Sequence, residues 1–64
     1  IDFAYASVVT IAPVEPGQEF TRANVWVKRP GTGEIRAADF DRILGRRAVS
    51  RLSENVQLRW QDLS

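Results

Sequence analysis

The residues best equipped for chemistry crowd into one stretch, Val25-Trp26-Val27-Lys28-Arg29-Pro30-Gly31-Thr32-Gly33, where an apolar strand runs into a basic pair and then a Pro-Gly turn. Arg29 is the leading candidate. A guanidinium presents a planar fork of N–H donors to carboxylates, phosphates and acyl oxygens, and here it stands between a stiff strand and a turn that would fix its direction. Lys28 alternates to the opposite strand face and ranks below it. Pro30 and Gly31 set the shape of the loop, and Thr32 and Gly33 are candidates for backbone contacts. Against this stands a plainer reading: a solvated strand-end arginine paired with Glu34 or Asp39. On the residues alone, the plainer reading carries more weight.

The remaining chemistry is sparse. The 64 residues contain no histidine and no cysteine, which removes the commonest general base, the commonest metal ligand and the usual structural zinc site together. That weighs against a self-sufficient hydrolase or metalloenzyme, and lack of cysteine fits a reducing compartment. Asp39 and Asp41 are two apart on an expected helix and do not face each other, so they make no carboxylate pair. Nine Lys and Arg against eight Asp and Glu give a net charge of +1, far from the excess that drives nucleic-acid binding. Eight of the nine cations are arginine, a bias that suits forked recognition but that a GC-rich genome also produces. Arg42, Arg46 and Arg47 read as a solvated helix end complementing the helix dipole, or as an interface. Trp26 reads as core or interface, rather than as a platform for a sugar, and Trp60 as a cover for the last turn.

The elements that must position Arg29 can be followed along the chain. At this length folding buries only about 60% of the surface of the unfolded chain, so short strands and turns carry the stability. Residues 1–6 read as the end of a linker, with Phe3 able to pack back, and residues 7–64 as the domain. A strand is predicted from Ala4 to Ala12, ended by Pro13. The longest apolar run, Ala6 to Ala12, interrupted by Ser7 and Thr10, is too short to span a bilayer, and no signal peptide is visible. No methionine occurs, even at position 1, so the chain reads as a piece of something longer whose partner is the rest of its own polypeptide.

Glu15-Pro16-Gly17-Gln18 has the pattern of a type II turn, and Thr21 can cap one helical turn over Arg22 to Asn24, with Phe20 and Val25 pointing into the core. A helix is predicted from about Ala37 to Leu44, closed by Gly45. A short strand is expected within Arg46 to Arg51, with Ala48 and Val49 as its apolar candidates. Leu52 to Gln57 forms another turn before Leu58 to Leu63 closes the chain.

The two ends echo each other. Val14 to Val25 aligns with Leu52 to Leu63 at a constant offset of 38. Apolar residues coincide at Val14/Leu52, Phe20/Leu58 and Val25/Leu63. Gly17/Asn55 pairs the residue types best able to take positive φ, and Asn24/Asp62 pairs two local side-chain acceptors. Two strand-turn-helical-turn units related by a pseudo-twofold axis follow. The Arg29 stretch and the helix join them.

With these residues assembled, Val27-Lys28-Arg29-Pro30-Gly31-Thr32-Gly33, the helix ending Ile43-Leu44-Gly45-Arg46-Arg47-Ala48, and the echoed turns resemble the antifreeze-like C-terminal (SAF) domain of bacterial sialic acid synthases. The likeness runs from about Ser7 to Leu63. The first arm, Ser7-Val8-Val9 with its following turn, is also similar to type III fish antifreeze protein. The resemblance implies a mostly β, pretzel-like β-clip fold of short strands and single helical turns. It further implies a parent whose TIM barrel condenses phosphoenolpyruvate with an N-acetylated mannosamine-type sugar. The parent's divalent Mn or Mg would be held in the barrel, with no cofactor in this chain.

The small domain would cap the barrel of the partner subunit in a domain-swapped homodimer and would not itself be an enzyme. By position Arg29 is the arginine that reaches the sugar's N-acetyl group, with Lys28, Pro30, Gly31, Thr32 and Gly33 in support; the resemblance tips the weighing of Arg29 toward this role. Lys-Arg-Pro-Gly-Thr-Gly-Glu-Ile leans toward neuraminate or legionaminate synthases. Neither nucleic acid nor membrane is an expected partner. The competing readings are an ice-binding protein, disfavoured because Glu19 and Arg22 occupy the first turn, and a free-standing carbohydrate or chaperone module, which the missing signal sequence disfavours.

Overall fold

The computed structural model describes residues 5–64. The expected linker at Ile1 to Phe3 and the Ala4 start of the first strand lie outside the described residues. Strand β1, Ser7–Thr10, is the centre of the fold and is buried along its whole length. It is shorter than predicted because Tyr5 adopts φ 62°, which breaks the extended backbone before Ser7. One edge pairs antiparallel with β2, Val25–Lys28, in the register Ser7↔Lys28 to Thr10↔Val25. The other edge takes two partners in turn: Val8 N–H donates to Ile35 O and Ala37 N–H to Ala6 O, then Leu58 N–H to Val8 O and Thr10 N–H to Val56 O. With both edges occupied, β1 has no main-chain group left for water, which suits its Val-Val centre.

Ser7 and Thr10, which interrupt the apolar run, are used inside. The Thr10 hydroxyl donates to Ser53 O (2.7 Å) and accepts from Val56 N–H (2.8 Å), while Ser7 Oγ accepts from Gly33 N–H (3.2 Å). No buried side-chain polar atom among the described residues lacks a partner, as a thin core requires. That core gathers Val8, Val14, Phe20, Val25, Ile35, Ile43 and Leu58, all fully buried.

The echo is a symmetry of hydrogen bonds. Phe20 N–H to Arg46 O (2.8 Å) is matched by Leu58 N–H to Val8 O (3.0 Å), and Gly17 N–H to Ala48 O (2.8 Å) by Asn55 N–H to Thr10 O (2.9 Å). Ile11 N–H to Asn24 O (2.8 Å) is matched by Val49 N–H to Asp62 O (3.0 Å). Exchanging each residue with its counterpart 38 positions away turns one bond of each couple into the other. Val14 and Leu52, which bond each other reciprocally (2.9 and 2.8 Å), map onto themselves and mark the axis.

The paired turns agree in detail. Gly17 and Asn55 have φ of 80° and 65°, and the Asn24 and Asp62 carboxamide and carboxylate accept from Thr21 and Arg59 N–H at 2.8 and 2.9 Å. Thr21 caps its turn as expected, Oγ1 accepting from Ala23 N–H at 3.2 Å. The type II turn closes through Gln18 N–H to Glu15 O at 3.0 Å.

The predicted helix is a 3-10 turn, Ala37–Asp39, running into a single α turn, α1, Phe40–Ile43, with Gly45 beyond it at φ 89°. A second 3-10 turn covers Trp60–Asp62. The strand expected in Arg46 to Arg51 does not form. Its place is taken by single-residue bridges, Glu19↔Arg47 and Ala48↔Leu63, and of its two apolar candidates Ala48 is buried while Val49 is 52% exposed. These bridges are the symmetry mates of Val9↔Gln57 and Thr10↔Val25, so the segment is the counterpart of β1 with fewer partners. No helix of the described residues is long and apolar enough to cross a membrane.

Candidate functional site

β2 carries the chain outward to the loop Arg29–Gly33. Its burial alternates, Val25 and Val27 inward, Trp26 half-buried, Lys28 exposed. Trp26 meets Phe40 edge-on, ring centroids 5.4 Å apart, so it belongs to the core margin that the sequence suggested. Arg29 emerges exposed at the strand end, and its peptide bond to Pro30 is cis. Gly31 is required by close approach, since a Cβ there would run into the Tyr5 carbonyl and the Ala6 backbone. Gly33 is closed in the same way by the Gln57 side chain and Ser7.

Two adjoining hollows meet at this loop. The larger, about 550 Å³, is open and lined by Tyr5, Arg29, Pro30, Gly31, Thr32 and Arg36. The smaller, about 240 Å³, lies on the other side and is lined by Val9, Lys28, Asn55 and Gln57 together with Arg29, Pro30 and Thr32. Arg29, Pro30 and Thr32 thus form the ridge between them. The structure brings Lys28 to Thr32 together at these hollows, while Gly33 contributes its N–H to Ser7. The two carboxylates considered as partners of Arg29 have other engagements. Glu34 Oε2 accepts from Trp60 N–H at 2.8 Å, and Asp39 pairs with Arg42 at 3.5 Å.

Tyr5, Arg36, Asn55 and Gln57 were not singled out from the sequence. Arg36 is seven residues beyond Arg29 and returns to the hollow through the Ser7↔Arg36 bridge, and Asn55 and Gln57 arrive from the opposite half of the chain. Only the echo could have hinted at them, by placing the second turn across the axis from the first. The Arg42, Arg46, Arg47 group disperses: Arg42 also lies 6.0 Å from the Trp60 ring centroid, Arg46 donates to Ser64 O (2.9 Å) and Arg47 to Gly17 O (2.9 Å). Glu19 and Arg22 are exposed at the first turn, the Arg22 guanidinium 5.7 Å from the Phe40 ring centroid. Among the described residues no three His, Cys, Asp or Glu side chains come together as a metal site would need.

Chemically, the arrangement offers a guanidinium donor on a braced loop beside a shallow hollow. Such a donor suits holding and orienting a ligand that carries an acceptor oxygen. Comparison with known proteins agrees with the fold. The SAF domain family matches residues 5–64. The chain superposes on the crystal structure of the spore coat polysaccharide biosynthesis protein SpsE from Bacillus subtilis with a TM-score of 0.82 and 31% sequence identity. That alignment covers 97% of this chain and 18% of the SpsE chain, so the present sequence spans a small part of that protein's length. No significant match was found among curated proteins. With the pseudo-twofold strand-and-turn architecture and a family match across nearly its whole length, the chain belongs to the SAF domain family, the antifreeze-like fold its residues resemble.

Proposed function

We propose that this domain is the substrate-capping C-terminal part of a sialic acid synthase-type enzyme, one that condenses phosphoenolpyruvate with an N-acetylmannosamine-type sugar. It lies over the mouth of a TIM barrel, that of the partner subunit in a domain-swapped dimer, and Arg29 donates to the sugar's N-acetyl oxygen. The carbon–carbon bond is made in the barrel, where a divalent Mn or Mg belongs. This chain supplies no catalytic group and acts by orienting the sugar and excluding water. The likeness to SpsE supports a biosynthetic parent acting on carbohydrate. Among parents of this type, the loop sequence favours neuraminate or legionaminate synthases, working in the cytoplasm.

The observation that carries this reading is the placement of Arg29 on the ridge between the two hollows, just beyond a strand anchored in the core by Val25 and Val27. A lid needs a donor that is directed before the ligand arrives, because a donor that must be ordered on binding loses part of its interaction energy to that ordering. In the full-length protein Arg29→Ala is expected to lower kcat/KM for the sugar by about 10- to 100-fold, the loss of a hydrogen bond from a charged donor, with the thermal transition of the domain unchanged. Near-normal turnover in that variant would remove Arg29 from the site.

A further inference from the structure

The loop that carries Arg29 is gripped on both flanks by side chains of the second turn. Lys28 Nζ donates to Asn55 Oδ1 at 2.9 Å on one side of Arg29, and Gln57 Nε2 donates to Thr32 Oγ1 at 2.8 Å on the other. The Gln57 amide oxygen also lies against Gly33, whose N–H is held by Ser7 Oγ. Gln57 is itself anchored by its bridge to Val9 in the central strand.

The pseudo-twofold axis supplies an internal control for what these side chains are for. Their counterparts 38 positions earlier are Gly17 and Glu19. Gly17 makes the same left-handed turn as Asn55 with no side chain, and Glu19 makes the same bridge to Arg47 that Gln57 makes to Val9. The turn and the bridge therefore require only main chain at these positions. What the second half adds is an amide at each, one on Lys28 at the strand end just before Arg29 and one on Thr32 within the loop.

We infer that Asn55 and Gln57 are positioning residues, a two-point clamp that fixes the Arg29 loop from the opposite half of the domain and so sets the direction of the Arg29 guanidinium. The inference rests on the capping role proposed for Arg29. Its consequence is that sugar recognition depends on two residues that need not touch the sugar, through Lys28 and Thr32.

The test is the Asn55→Gly/Gln57→Ala double variant, which restores the bare turn of the first half. In the 64-residue chain, backbone ¹⁵N order parameters at Arg29, Gly31, Thr32 and Gly33 should fall from about 0.85 to below about 0.6, with β1 and β2 unchanged. Gln57→Glu, toward which the Thr32 hydroxyl can turn to donate, should keep the loop ordered. In the full-length protein the double variant should raise the sugar KM by about tenfold and leave the KM for the other substrate unaltered. Unchanged loop order would overturn the clamp, and so would a loss of order spread over both strands, because it would make the amides part of the general fold. If Arg29→Ala lowers sugar use and the double variant does not, the clamp fails while the capping role stands. If Arg29→Ala has no effect, the capping role itself fails.

Discussion

Residues 8–25 and 46–63 share a set of symmetry-related main-chain hydrogen bonds, yet the first half presents Gly17 and Glu19 at its turn where the second presents Asn55 and Gln57. The same contrast recurs one step inward. Thr10 ties its hydroxyl to Ser53 and Val56 of the opposite turn, whereas its counterpart Ala48 has no hydroxyl, and the first turn is instead held by Gln18 Oε1 accepting from Glu15 N–H at 2.9 Å and by Arg47 reaching Gly17 O. The backbone repeat builds a small, closed core from two short pieces. The side-chain differences then decide which half supports the loop between them.

The comparison can be broken most severely at the core pair. Phe20 and Leu58 occupy equivalent, fully buried positions, so Phe20→Ala and Leu58→Ala should each destabilise by about 3–5 kcal/mol, enough to leave either chain largely unfolded in urea titrations. A small loss in only one of them would show that the halves do not share the core equally. Thr10→Val should cost about 1–3 kcal/mol, because it strands the Val56 N–H and Ser53 carbonyl that the hydroxyl serves.

At the turns the halves should diverge. A Cβ at Gly17 meets nothing within 4 Å, so the cost of Gly17→Ala is torsional, about 1–2 kcal/mol from the left-handed backbone. Asn55→Gly, by contrast, makes the second turn like the first and should stay within about 0.5 kcal/mol of the parent by the same titration. Equal costs at the two positions would undo the claim that Asn55 serves the loop more than the turn.

Much of this could be read from the chain. The Pro16-Gly17 turn, the Thr21 cap, the positive φ at Gly45 and the offset of 38 are local or repeated patterns, and each stands in the structure, while the predicted helix from Ala37 to Leu44 is a 3-10 turn and one α turn ending at Ile43. Arg29 was picked out because it stands between an apolar strand and a Pro-Gly pair, and it does lie at the hollows. The strand expected around Ala48 was misread because alternation over a few residues carries no information about how many partners a strand will find. Ser7 and Thr10 looked like interruptions, since a hydroxyl inside a core is welcome only where other segments bring it donors and acceptors. The Arg42, Arg46, Arg47 run looked like one cluster, but its members lie on a helix end followed by a turn, and each leans toward a different segment.

The sequence by itself determined the two half-repeats, their turns and the basic loop between them, because these depend on residues close together or on one constant spacing. Only the tertiary structure decided that Arg36 comes back beside Arg29, and that Asn55 and Gln57 close on Lys28 and Thr32 from the other half. Those contacts arise from the pseudo-twofold packing of distant segments around β1, and packing of that kind leaves no mark at any single position of the chain.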